Sequence, residues 1–404
     1  MTATYYNDRE SEIAVQDEAA AYGVTPGALV GGDFFKHTSG HEGFQPELEQ
    51  MPRDRDKDNN QGSVLLTQTG RKRTKVSVEA DVIPSGNSST PTEPDTDLLW
   101  KAALRSKFKA TAHTTTAAGS TGVTLNLTAG GGAASGIRAG GGDLIAVDID
   151  GAGTYEVRRV VSRATDVVTI DRAFTSSPAA ARAVKVGTTY NLSSTAFVSL
   201  YFWLYNQNVL RYAVPGSILN DLSVDINHAD GVPLLKAKWA GVGKYEITQA
   251  TSRPTPVTAG VPLAGSLGSV WLGANKYQII TGSFAVKNGL ALRELEIGSL
   301  EPTGVKFTGN STGRFDVSMA LEMCMTTGSA GEDTQALYDG AKTLTVRDAM
   351  CQIGTVPGNI FAWCCPKWQP GPAERGAQDG EVSVKLSGRA YGTIGDDDIF
   401  VAFL

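Results

Sequence analysis

The sequence is poor in cysteine, and its few cysteines lack the spacing of a metal site. They are Cys324, Cys351, Cys364 and Cys365, with no C-x-x-C pair and no histidine close by. Zinc sites need such clusters, and disulfide scaffolds need a higher cysteine content. We therefore expect buried free thiols. Adjacent residues of a strand point to opposite faces, so one of Cys364 and Cys365 should face a second layer or a neighbouring subunit.

Long apolar runs and an excess of positive charge are also missing. No segment has the roughly 18 to 20 apolar residues of a membrane helix, so we expect no membrane insertion. The first residues lack the basic and apolar segments of a signal peptide, which predicts synthesis in a cytoplasm. The 36 basic and 42 acidic residues give a net charge of −6. This balance excludes a general electrostatic attraction to nucleic acid or to anionic lipid.

Glycine, in contrast, is abundant. The 46 glycines among 404 residues are scattered among Val, Ile, Thr and Ser, without a Gly-X-Y period. This indicates many turns between short strands rather than a collagen helix. Strict alternation of apolar and polar residues in 74–82 and again in 315–324 predicts two strands with one apolar and one polar face. The fold class predicted is mainly β.

Composition divides the chain into four parts. Residues 1–60 are polar without sustained periodicity and are predicted to form an N-terminal arm or long loop. Residues 61–110 and 193–257 are predicted to form a first β domain, interrupted by 111–192, whose short strands and glycine triplets predict an inserted small β-barrel or sandwich. Residues 258–404 are predicted to form a second β domain. In both domains an alternating strand precedes a short helix with acidic residues at its start, at 95–104 and from 333, which indicates a tandem repeat.

Fragments of catalytic and metal motifs occur without their required context. Residues 309–313 match G-x-S-x-G, but a strand pattern rather than a helix follows, so we expect a hairpin turn. Residues 148–151 resemble the start of a calcium loop, but the later acidic ligands are missing. We therefore predict no catalytic residue, no cofactor-binding residue and no metal ligand, and a protein that is not an enzyme.

Two clusters of charge are candidate contact sites. Arg71, Lys72 and Arg73 begin a strand that carries Glu79 and Asp81 at its other end. They could bind phosphate, but pairing with an oppositely charged strand or subunit explains them better. The second cluster is a run of alternating sign in the N-terminal arm, which is typical of a solvated segment: Arg53, Asp54, Arg55, Asp56 and Lys57.

The chain resembles the major tail tube proteins of long-tailed, siphophage-like bacteriophages, in particular their double-length form. The resemblance covers about 320 residues in consistent order, without the insertion. It is carried by the following diffuse motifs: 76–81 (VSVEAD), 97–104 (DLLWKAAL), 215–226 (PGSILNDLSVDI), 287–290 (KNGL), 313–322 (GRFDVSMALE), 388–391 (GRAY) and 398–401 (DIFV).

This resemblance implies two tandem β-sandwich tail-tube domains, each with a short flanking helix, plus the inserted domain on the outer surface. In the family, six such domains close a ring whose inner sheets form a continuous barrel. Three chains would then form a pseudo-six-fold ring, with a hexameric ring as the alternative. Stacked rings would form the tail tube of the virion, through which double-stranded DNA passes into the host.

The resemblance also implies further partners and roles for particular residues. The partners would be other copies of the chain and the terminator, tape measure and distal tail proteins. The arm with residues 53–57 and the cluster 71–73 would contact other subunits or rings. A wall that repels phosphate lets DNA slide, so the lumen should be net negative. Alternation suggests these lumen-facing acids: Glu79, Asp81, Asp225, Asp316 and Glu322.

Other classes of protein remain as alternatives. Another virion component, such as a distal tail or decoration protein, shares the structural character of the sequence. A carbohydrate-binding β-sandwich protein is a second alternative, which the lack of a signal peptide disfavours. The insertion could contact a cell surface or act as a spacer that stabilises the tube.

Overall fold

The computed structural model describes residues 11–18, 21–53, 65–206, 210–227, 234–257, 260–263, 268–294, 296–307, 315–326, 333–378, 380–393 and 395–404. The chain is mainly β, as the sequence predicts, with 49% strand and 8% helix. The α-helices of these residues are α1 (Asp97–Leu104), α2 (Gly131–Ser135) and α3 (Thr334–Lys342).

The strands pair antiparallel in every ladder. In chain order they are β1 (Ser11–Asp17), β2 (Phe44–Arg53), β3 (Leu65–Asp81), β4 (Ser106–Lys109), β5 (Thr114–Thr115), β6 (Thr124–Asn126), β7 (Leu144–Asp148), β8 (Tyr155–Ala164), β9 (Val167–Ile170), β10 (Ala183–Val186), β11 (Thr188–Asn191), β12 (Leu200–Asn206), β13 (Leu210–Asn227), β14 (Lys236–Gly243), β15 (Ile247–Thr248), β16 (Gly268–Leu272), β17 (Asn275–Tyr277), β18 (Thr281–Lys287), β19 (Leu290–Arg293), β20 (Gly304–Phe307), β21 (Asp316–Cys324), β22 (Arg347–Ile353), β23 (Phe361–Pro370), β24 (Glu374–Gln378), β25 (Glu381–Ala390) and β26 (Phe400–Phe403).

Eight strands of the described residues form one continuous sheet, here called the front sheet. Its order is β2, β3, β14, β13, β18, β21, β25 and β24. The pairing of β13 with β18 joins the two halves of the chain without a break in the ladder. Period-two alternation along these strands gives the front sheet one buried and one solvent-facing side.

Two further sheets lie behind the front sheet. The first back sheet contains β1, β12, the start of β13 and β15. The second back sheet runs in the order β17, β16, β22, β23, β26, β11 and β4. β13 and β23 each begin in a back sheet and end in the front sheet. These two strands therefore connect the layers covalently.

Buried side chains of the front and back sheets form one core with α1. Leu99, Trp100, Ala103 and Leu104 follow a helical spacing and are all buried. The indole N–H of Trp100 donates to Thr96 Oγ1 at 3.0 Å, which satisfies its polar atom inside the core. Arg105, with a φ of 72°, ends the helix in the left-handed region.

The insertion forms a separate six-stranded sheet in the order β5, β10, β7, β8, β9 and β6. Its two ends meet, because the Ala110 N–H donates to the Gly187 carbonyl at 2.9 Å. One side of this sheet covers its own core, and the other side packs on the second back sheet. Cys364 lies in that second interface and Cys365 in the main core, which confirms that the adjacent thiols face different layers.

Two predicted boundaries differ from the observed structure. Residues 1–60 are not only an arm, because β1 and β2 pair with β12 and β3. The middle of β1 is buried on both faces and so lacks the alternation that reveals a strand, and β2 contains Pro46, which argues against the interior of a sheet. The proposed insertion, 111–192, includes β11, which pairs with β4 and β26 rather than with the insertion sheet. A four-residue strand is too short for sequence to reveal its partners.

Candidate functional site

The five candidate lumen acids all lie on the solvent-facing side of the front sheet. Glu79 and Asp81 alternate with the buried Val78 and Ala80 on β3. Asp225 occupies the same side of β13, next to the buried Val224. Asp316 and Glu322 do so on β21. The period of two thus brings together acids that are far apart in sequence.

A lysine stands directly opposite each of these acids on a neighbouring strand. Lys238 pairs in register with Glu79, and Lys236 pairs with both Asp81 and Asp225. Lys287 is opposite Asp316, and Lys385 is opposite Glu322. Opposite charges at such positions stabilise a sheet, and like charges destabilise it. The surface is therefore charge-compensated rather than uniformly acidic.

One of these opposite pairs and two diagonal pairs are close enough for ionic contact. Lys236 Nζ lies 3.2 Å from Glu79 Oε1, and Lys385 Nζ lies 3.6 Å from Glu322 Oε2. Arg389 Nε lies 3.4 Å from Asp316 Oδ1. Burial raises the pKa of Asp81 and the pKa of Asp225, and Glu79 adds to both shifts. Lys236 lowers the pKa of Asp81 and so offsets part of its rise.

The sign of charge alternates from strand to strand across most of this surface. Among the described residues, acids lie at the end of β3 and along β13, β21 and β24. Bases lie along β14, β18 and β25, with Glu381 at the start of β25 as an exception. The residues are Glu79 and Asp81, Lys236 and Lys238, Asp221 and Asp225, Lys287, Asp316 and Glu322, Lys385 and Arg389, and Glu374. Neighbouring strands are about 4.8 Å apart, so the opposite fields cancel over a short distance.

The basic cluster 71–73, in the middle of β3, is paired within the chain. Arg73 contacts Glu47 Oε2 at 2.8 Å and Glu294 Oε1 at 3.2 Å. Arg71 lies 3.6 Å from Glu294, and the Lys72 N–H donates to the Leu300 carbonyl. Hydrogen bonds from Lys75 and Arg73 lower the pKa of Glu47. The residues Asp54, Arg55, Asp56 and Lys57, and the side chain of Arg53, lie outside the described part of the chain.

The two halves of the front sheet repeat the same row of residues. In the first four-strand ladder, β13–β14–β3–β2, the row is Leu219, Gly241, Val76, Phe44. In the second four-strand ladder, β23/β24–β25–β21–β18, it is Pro370, Gly388, Met319, Phe284. Next to this row, each ladder contains a β-bulge, which is one extra residue on one strand relative to its partner. The bulge lies on β13 in the first ladder and between β23 and β24 in the second. The glycine, the phenylalanine and the bulge thus recur at matching positions.

The front sheet ends in two strands with free edges. Within the described residues, β2 pairs with β3 and β24 pairs with β25, and neither has a partner strand on its other side. An exposed edge offers unpaired N–H and C=O groups to another chain. These edges are therefore the second candidate site, for association rather than chemistry.

The described residues contain no group of three or more His, Cys, Asp or Glu side chains that could hold a metal ion. The calcium-like segment forms a turn in which Asp148 accepts from the Gly151 N–H, and Asp150 accepts from Thr154. The G-x-S-x-G fragment at 309–313 lies outside the described residues. No described helix combines the length and the apolar content that crossing a bilayer requires.

No protein-family model matches the chain, and no curated protein matches it significantly. The functional argument therefore rests on the geometry of the front sheet.

Sequence reasoning missed the lysines that face the acids. Lys236 and Lys238 alternate with apolar residues, as do Glu79 and Asp81, so each strand was visible as an amphipathic segment. The opposite signs of charge on these two strands were a signal that the strands could be neighbours. Which strand neighbours which is a non-local property, however, and only the fold supplies it.

Proposed function

We propose that this protein is the structural subunit of a tube that conducts double-stranded DNA, the tail tube of a long-tailed bacteriophage. The observation that carries the proposal is the eight-stranded front sheet, made of two matching four-strand ladders. In this proposal each ladder, with the back sheet behind it, is one β-sandwich tube domain, and α1 and α3 are their flanking helices. The subunit needs no cofactor and has no catalytic role.

The number of strands sets the number of copies that a DNA conduit needs. Barrel diameter grows with strand number, and eight strands enclose only side chains. With strands about 4.8 Å apart and tilted by about 40°, 16 strands leave a bore of roughly 20 Å after side chains, and 24 leave roughly 35 Å. Duplex DNA is about 20 Å across. Three copies are thus the smallest closed ring that lets it pass, and a ring of six copies is the alternative.

The chemistry of the solvent-facing side suits a wall along which DNA slides. Strong phosphate binding requires clustered Lys and Arg that displace counterions. Here each candidate lumen acid has a lysine in register on a neighbouring strand. Compensation within one strand spacing removes sites where phosphate would be held. We accordingly propose a lumen whose acids are largely paired with bases and remain in slight excess, which keeps it net negative.

The position of the insertion is compatible with an open bore. It packs on the second back sheet, on the side opposite to the front sheet. Gln352 fixes it there, accepting from the Val157 N–H at 2.9 Å and donating to the Tyr155 carbonyl at 2.8 Å. In the proposed ring the insertion lies on the outer surface, and successive rings and other tail proteins contact the two ends of the ring.

Electron microscopy of the purified full chain tests this function. We expect rings or tubes with three-fold symmetry and a bore of roughly 35 Å. Mass photometry of single rings should give three times the 42.5 kDa of one chain. Six copies would establish the hexameric alternative, and single rings that never stack would favour a distal tail protein. A monomer at every concentration would contradict the proposal.

A further inference from the structure

We propose that β24 of one copy pairs antiparallel with β2 of a second copy, in the register that the junction of β13 with β18 already displays within the chain. This inference rests on the proposed function for the closure of the ring. It commits both free edges of the front sheet to one partner, another copy of the same chain.

The internal junction is a template because it joins the same two kinds of edge. β18 is the counterpart of β2, since Phe284 and Phe44 end matching rows. β24 is the counterpart of the end of β13, since both follow the bulge beside the matching glycine. The structure thus already contains one joint between a second-ladder edge and a first-ladder edge. A ring of identical copies needs the same joint once more per chain.

The matching rows of the two ladders give the register of the proposed joint between copies. At the internal junction, Ser223 pairs with Ala285, and Val224 with Phe284. Ser223 corresponds to Glu374 and Ala285 to Gln45. Val224 corresponds to Arg375 and Phe284 to Phe44. We therefore assign Glu374 opposite Gln45 and Arg375 opposite Phe44 of the next copy. Gln45 pairs with Lys75 and Glu374 with Lys385 in the present sheets, so both side chains belong to the solvent-facing side.

Prolines limit where the two edges can pair. Pro46 on β2 and Pro372 before β24 lie at the same end of the assigned joint, and each removes a backbone donor. In the single chain, 41–43 form a 3-10 turn, whereas their counterparts 281–283 belong to β18. The joint therefore extends through Phe44 toward residue 41, and β2 lengthens when copies associate. Such constraints disfavour other registers.

Disulfide cross-linking of the full chain tests the register. In a Cys324→Ser background, Gln45→Cys with Glu374→Cys places two thiols directly opposite across the joint. Cα atoms at such positions are about 4.5–5.5 Å apart, within the range of a disulfide. We expect oxidation to give covalent dimers and closed trimers that disappear on reduction. The internal counterpart, Ser223→Cys with Ala285→Cys, should instead give a disulfide within one chain.

A shifted pair provides the register control. Glu47→Cys with Glu374→Cys moves one thiol by two residues on the same side, to a Cα distance of about 7–8 Å, beyond disulfide range. It should cross-link at least tenfold more slowly. Rings or tubes without the 45–374 cross-link, or with equal rates for both pairs, would overturn the register and leave the tube function intact. A monomer that forms no cross-link, although the internal pair does, would overturn both.

Discussion

Gly241 and Gly388 occupy matching positions in the two ladders of the front sheet, and each lies against a main-chain carbonyl of the neighbouring strand. A Cβ on Gly241 would collide with the Ile218 oxygen, and one on Gly388 with the Gln369 oxygen. Ile218 and Gln369 are themselves matching residues, each one position before the partner of its glycine. The close approach occurs where β13 and β23 pass from a back sheet into the front sheet.

Replacing either glycine with alanine should therefore destabilise the fold. Because main chain cannot yield as a flexible side chain does, we expect Gly241→Ala and Gly388→Ala each to lower the free energy of unfolding by about 1–3 kcal/mol, measured by urea denaturation. Gly304→Ala is the matched control, since Gly304 also lies in a strand but a Cβ there meets nothing within 4 Å. Equal effects at all three sites would contradict the packing argument.

A second prediction concerns the ion pairs that attach β4 to the start of α1. Lys107 Nζ lies 2.9 Å from Glu93 Oε1 and 2.7 Å from Asp97 Oδ2, and all three side chains are partly buried. Asp97 also accepts from the hydroxyl of the buried Tyr190 at 2.6 Å. We expect Lys107→Met to cost about 1–3 kcal/mol at neutral pH, because it leaves partly buried carboxylates without a donor.

The cost of Lys107→Met should depend on pH. Burial opposes ionisation of Glu93, but hydrogen bonds from Lys107 and Lys109 outweigh it, and the pKa of Glu93 falls below its usual 4.5. Because the pKa of Glu93 is lower in the folded than in the unfolded chain, its ionised form stabilises the folded state fully above pH 4.5. This contribution is lost as the pH falls through the pKa of the folded state. Urea titrations of both proteins at neutral and acid pH should show the difference shrinking in acid.

Lys342→Met is the control for that comparison. Lys342 Nζ lies 2.7 Å from Asp339 Oδ1, but both side chains are about half exposed. Exposed pairs contribute little, because water screens them. We expect no measurable change in stability at either pH, so a pH-dependent loss in this control would contradict the role of burial.

The docked insertion provides a third prediction. Gln352→Leu keeps the side-chain volume but leaves the Val157 N–H and the Tyr155 carbonyl without partners beneath the insertion. We expect a loss of about 1–3 kcal/mol and faster protease cleavage within 111–186. Gln335→Leu is the control, since its amide contacts only the exposed Asp339. Unchanged cleavage in Gln352→Leu would show that other contacts alone hold the insertion.

The compensated surface gives a fourth prediction, on assembled tubes. Asp221→Asn with Asp225→Asn removes one of the two acids opposite Lys287 and one of the two acids opposite Lys236. The tubes should therefore retain short duplex DNA more strongly than the unchanged protein at low ionic strength and release it in salt. Lys236→Gln with Lys238→Gln should give no retention. Filter binding with labelled duplex measures both.

Acids of the insertion serve as the control for the same assay. Asp150→Asn with Asp166→Asn removes two acids of the insertion loops, one exposed and one half-buried, and neither lies on the front sheet. Retention that rises equally in this variant would attribute the effect to net charge rather than to the front sheet. Retention by the unchanged protein would contradict compensation itself.

Local patterns in the sequence determined much of the secondary structure and the sidedness of the strands. Helical spacing of Leu99, Trp100 and Ala103 predicts α1, and alternation around Val78 and Met319 predicts β3 and β21. Alternation also places Glu79 and Glu322 on the polar side of their strands. These features depend on residues within a few positions of one another, which is why sequence alone reveals them.

Only the tertiary structure decided which strands are neighbours. That β1 pairs with β12, that Lys238 faces Glu79, and that β18 continues the ladder of β13 all depend on contacts between residues distant in sequence. Alternation fixes the face of a side chain but leaves its partner strand and register open, because every amphipathic strand offers the same backbone groups. The lysines that face the candidate lumen acids escaped sequence analysis for this reason, since they lie on other strands.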